Sequence, residues 1–104
     1  MNASQNIQSQ LPSQFRAVLT IVNAAEELRK KALPHVDLSR REVNWSEIFK
    51  HDLGSGHRAA LIWAKALYLD QSPPRADAFD LAFAMDGNMR SAVLEAIGIR
   101  WGLA

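Results

Sequence analysis

HRAALIWAKALYL, residues 57–69, is the stretch that decides the fold. Only Arg58 and Lys65 are charged in it, and seven residues of spacing put both on one side of a helix. Apart from His57, every other position is Ala, Leu, Ile, Trp or Tyr. A helix that is apolar nearly all round needs neighbours on several sides, so this one belongs at the centre of a helical globule. Lys65 interrupts the run, which is far shorter than the ~20 apolar residues of a membrane span.

The flanking sequence supplies the neighbours. Gly54-Ser55-Gly56 separates the central helix from a short helix over 45–51. Asn44 and Glu47 have capping-box spacing there, and Trp45 and Phe49 turn inward. Placed at 100° per residue, Phe15, Val18, Leu19, Ile21, Val22, Ala25, Leu28 and Ala32 share one half of a helix predicted over 13–33 and ended by Pro34. Arg29 falls in the apolar half and must snorkel, pair, or mark where the helix leaves the core. Residues 35–43 form a connector in which Ser39 and Glu42 have capping-box spacing. Beyond the central helix, Ser72-Pro73-Pro74 punctuates a turn and Asp80 caps a short helix over 81–85. Asp86-Gly87 opens a last helix over 88–98 whose inward stripe is Met89, Val93, Ala96 and Ile97.

The expectation is an all-α fold: a compact bundle of about five helices, three longer and two short, around a central apolar helix. Residues 1–12 have almost no apolar side chains and are expected to be a disordered tail, with 13–104 forming a single helical domain. No segment has the alternation of a strand. At 104 residues the chain has room for one domain, and 48% hydrophobic with 22% charged residues is close to the globular average. With no cysteine, the chain has neither disulfide nor thiolate chemistry, which fits a reducing cytoplasm. The amino-terminal residues have neither the basic start nor the apolar run of a signal peptide. A net charge of +1 is too balanced to advertise a nucleic-acid or membrane partner. The expected location is the cytoplasm.

The half from Asp52 to Trp101 resembles a small bacterial helical domain family of unknown function, carried on plasmids and integrated elements. The resembling residues are Asp52, Gly54, His57-Arg58 before an apolar helix with Trp63, then Phe79-Asp80-Leu81, Asp86 and Met89. The resemblance implies a fold and a bacterial origin on mobile elements, and no mechanism.

Three segments are candidate sites. Ser55, Gly56, His57 and Arg58 gather free N–H groups, a hydroxyl, an imidazole and a guanidinium at a helix start, a setting that attracts anions. The same residues also suit a plain turn capped by Ser55. Arg29, Lys30, Lys31, Arg40 and Arg41 place five of twelve basic residues within thirteen positions, a pattern for phosphate contacts or for a solvated connector. Trp101 and Leu103 follow Gly98, where the chain is free to leave the helix and present an apolar anchor. If the helix continues, Trp101 falls near the Ile97 side and completes the core.

His51, Asp52 and His57, with His35 and Asp37, bring a metal to mind. A six-residue step across a glycine break is not a ligand spacing, so neither metal nor cofactor is expected. A helix-turn-helix reading around Met85 to Asn88 fails on Phe83, Asp86 and Asn88, and no motif pairs a nucleophile with a base. The expectation is a non-catalytic module that binds another protein or a second copy of itself. The alternative is a nucleic-acid or phosphate binder using 29–41 and the helix start at 54–58.

Overall fold

The structure, a computed structural model, describes residues 11–71 and 78–103. The first ten positions of the expected tail and the Ser72-Pro73-Pro74 turn lie outside the described residues. The last positions of that tail do not: Leu11 is buried in a cluster with Phe15 and Leu19, so the domain begins before residue 13.

Helix α1 covers Ser13–Val22 and buries Phe15, Ala17, Val18, Leu19, Ile21 and Val22. The single helix expected over 13–33 breaks here. Ala25 is extended, with φ −141° and ψ 144°, and α2 starts afresh over Glu26–Lys31. No local breaker marks this point. The carbonyls freed by the break are taken by donors from elsewhere, since Arg29 donates to Asn23 O and Asn88 on a distant helix donates to Ala24 O at 2.8 Å. The break thus resolves the Arg29 conflict, leaving it exposed while Leu28 stays buried. Glu26 and Glu27 open α2, and Arg29, Lys30 and Lys31 close it, each sign at the end the helix dipole favours.

A 3₁₀ turn over Leu33–His35 leads into a two-residue antiparallel ladder, β1 (Val36–Asp37) with β2 (Glu42–Val43), pairing Val36 with Val43. The connector is therefore a tight hairpin. Instead of a Ser39–Glu42 capping box, Asp37 organises it by accepting from Ser39 N, Ser39 Oγ and Arg40 N at 3.1, 2.7 and 3.1 Å. The Ser39 hydroxyl, more than any other group, holds the Asp37 carboxyl below its ordinary range.

Helix α3 covers Trp45–Lys50 and is capped as expected, with Asn44 Oδ1 accepting from Glu47 N at 3.3 Å. Helix α4 covers Ser55–Leu69 and is the centre of the molecule, packed against α1, against α5 (Ala78–Ala84) and against α6 (Gly87–Arg100). Asp80 lies inside the first turn of α5 rather than capping it, because that helix starts earlier than its apolar pattern suggests. Asp86 caps α6, its Oδ1 accepting from Met89 N at 2.9 Å, and Met89, Ala92, Val93 and Ala96 face the core. Gly56 is required by packing: a Cβ there would meet Ala84 O at 2.8 Å, so α5 could not end against the start of α4. All-α is the fold class, with one small hairpin among the described residues. No described helix is long and apolar enough to cross a membrane.

Candidate functional site

The start of α4 holds an anion, and the anion is internal. Glu27 on α2 reaches it, with Oε1 3.2 Å from His57 Nδ1 and 3.9 Å from Lys31 Nζ. The close approach of His57 is the main cause holding the Glu27 carboxyl below its ordinary range; burial pushes the other way, and the Lys31 charge and Gly54 N–H add smaller lowering effects. Lys31 also donates to Asp52 O at 2.6 Å, tying α2 to the loop before α4. Arg58 turns back to donate to Phe49 O at 3.3 Å, and its guanidinium lies 5.7 Å from the Phe49 ring centre. Ser55 is exposed and caps nothing; Gly54 occupies the cap position. Of the four residues expected to meet an external anion, two have partners within the fold and Gly56 is pressed against α5.

The basic segment is divided between α2 and the hairpin. Lys30 pairs with Glu26 at 3.1 Å, and Arg40 lies 3.8 Å from Asp37. Arg29 and Lys31 are held by the backbone carbonyls of Asn23 and Asp52. Arg41 is exposed at the hairpin in a left-handed conformation, φ 56°.

The carboxyl end of α6 differs from both alternatives that the sequence left open. Gly98 does not release the chain; the helix continues to Arg100. It closes in a Schellman motif, with Gly102 at φ +74°, Gly102 N donating to Ile99 O at 3.2 Å and Leu103 N donating to Gly98 O at 2.7 Å. Arg100 anchors this end, donating to Leu67 O at 2.9 Å and Ser13 Oγ at 3.2 Å. Trp101 nonetheless stays out of the core, 63% exposed, and Leu103 is 78% exposed. Sequence reasoning passed over Leu94, which is 69% exposed. Seven residues separate Leu94 and Trp101, so they share one outward stripe of α6, with Gly98 between them. The signal was available in the sequence: α6 carries apolar residues at angles its inward stripe does not use. Beside this stripe, a groove of about 520 Å³ runs between α1 and α6, lined by Arg16, Thr20, Asn23, Ser91 and Glu95 among others.

The histidines hold one surprise. His35 and His51 meet through their ring nitrogens, Nε2 to Nε2 at 3.1 Å, both half-buried. No sequence spacing signals this pair, because the path of the hairpin brings the two together. Among the described residues, no group of three or more His, Cys, Asp or Glu side chains is arranged to hold a metal ion.

No protein-family model matches the chain, and neither a curated protein nor a solved structure matches it. The geometry must carry the functional reading.

Proposed function

We propose that this protein is a non-catalytic interaction module whose binding surface is the outward stripe of α6, and that the surface takes a second copy of the chain. One observation carries this reading: Trp101 and Leu94 are exposed on one stripe of a helix whose end is locked, so the anchor is rigid rather than a loose tail. A pre-formed tryptophan loses little freedom on binding, and tryptophan is a frequent interface hot spot. The stripe is also self-complementary. A two-fold axis passing between Ile97 and Gly98 of antiparallel α6 helices sets Leu94 of one copy opposite Trp101 of the other, with the small Gly98 near the crossing.

Such a module suits a reducing cytoplasm, given the absence of cysteine. The resemblance of residues 52–101 is consistent with a bacterial mobile element as its setting. The nucleic-acid reading has no observation of its own in its favour, since Arg29, Lys30, Lys31 and Arg40 already have intramolecular partners.

Sedimentation equilibrium at protein concentrations up to about 100 µM, where even weak homodimers are populated, tests the proposal. The wild-type chain is expected to dimerise, and Leu94→Glu and Trp101→Ala are each expected to return it to a monomer with unchanged circular dichroism. A monomeric wild type, or a dimer indifferent to both substitutions, overturns it.

A further inference from the structure

We propose that His35 and His51 form a binding site for one divalent transition-metal ion of the zinc–copper type. The pair is assembled by the fold: His35 ends the 3₁₀ turn before the hairpin, and His51 caps the end of α3. Backbone bonds hold both segments, with Asn44 N donating to His35 O at 2.9 Å and His51 N to Ile48 O at 3.2 Å.

The separation of the nitrogens, that of an ordinary hydrogen bond, is also one that a metal can bridge. Two metal–nitrogen bonds of ~2.0–2.1 Å, opened to an angle between ~90° and ~110°, span about 2.9–3.4 Å. The observed 3.1 Å lies in that range. With no ion, the rings meet nitrogen to nitrogen, centroids 5.3 Å apart and planes tilted by 47°, one Nε2–H donating to the other ring's lone pair. An ion takes the place of that proton. The donating ring shifts its hydrogen to Nδ1 through solvent, both Nε2 lone pairs turn onto the ion, and no net proton is released. Imidazole nitrogen selects for the zinc, copper and nickel end of the divalent series over magnesium or calcium.

Glu47 is the nearest carboxylate in sequence on α3. It lies one turn before His51 at the end of α3, and Lys50 Nζ at 2.8 Å is its partner. Water completes the coordination. The third histidine is engaged elsewhere, by Glu27. This site is separate from the α6 stripe, so the failure of either proposal leaves the other standing.

The test is a calorimetric titration of the tag-free chain with Zn²⁺ near neutral pH, paired with NMR of the histidine side-chain nitrogens. The expected result is one ion per chain and shifts at Nε2 of His35 and His51. His35→Gln and His51→Gln, which keep a hydrogen-bonding group, should each weaken binding at least about tenfold. His57→Gln should leave it unchanged. Zn²⁺ should also raise the melting temperature of the wild type but not of the double Gln variant. A folded wild type with no saturable binding, or binding that survives the double substitution, overturns the proposal.

Discussion

Helices α4 and α6 are nearly equal in length, 15 and 14 residues, and both carry apolar side chains on more than one face. Their fates differ. Helix α4 meets α1, α5 and α6, and its Leu61 is completely buried. Helix α6 packs mainly on α1 and α4, touching α5 through an Arg90 bond to Ala82 O, and its Leu94 is 69% exposed. An apolar face is buried only if the fold supplies something to cover it. A central helix buries most of its apolar surface in folding, with only Leu69 at the end of α4 left 43% exposed, whereas a peripheral one keeps a larger surplus for another molecule.

The sharpest way to break this contrast is to cut the same side chain from each helix. Leu61→Ala should cost about 2–5 kcal/mol in urea unfolding, because it leaves a cavity with little room to relax. A loss below about 1 kcal/mol would mean α4 is not the centre. Trp63, on the same helix, is only half-buried, so it is a poorer probe than its size suggests.

Next comes the fit of the start of α4 against α5. Gly56→Ala should lose about 1–2 kcal/mol, the clash with Ala84 O outweighing the gain in helix propensity. A more stable variant would show that α5 moves aside freely.

Smaller still is the effect of the internal anion. The folded state holds the Glu27 carboxyl below its unfolded value, so it binds a proton less readily than the unfolded state. That contribution is fully present above the unfolded carboxyl range, near pH 4.3, and is lost as pH falls through the folded value. Glu27→Gln should therefore lower stability at neutral pH and flatten its decline on acidification, without abolishing it, because Asp37 and Glu47 are shifted the same way. Identical pH profiles for variant and wild type would remove Glu27 from the account. Least of all, Leu94→Ala and Trp101→Ala should each change the stability of the monomer by no more than about 0.5 kcal/mol, measured in dilute thermal melts. A loss of several kcal/mol would mean that these side chains belong to the fold rather than to an interface.

Much of the architecture was legible in the chain because its signals are local. Hydrophobic periodicity marked α4 as central and the inward stripe of α6, and the side chains of Asn44 and Asp86 marked two helix starts by bonding three residues ahead. What escaped depends on groups distant in sequence. The break between α1 and α2 leaves a carbonyl, Ala24 O, that is met by a side chain 64 residues on, Asn88.

The candidate sites divide along the same line. By itself, the sequence determined that the protein is helical, that α4 lies inside, and that Ser55 to Arg58, the basic run and Trp101 are its unusual segments. Only the tertiary structure decided that Glu27 answers the first of these from within, that His35 meets His51 across 16 residues, and that Trp101 stays outside although its helix runs on. Composition and periodicity report what a residue prefers over one or two turns, whereas a partner for a charge or a cover for an indole is settled by which distant segment arrives beside it.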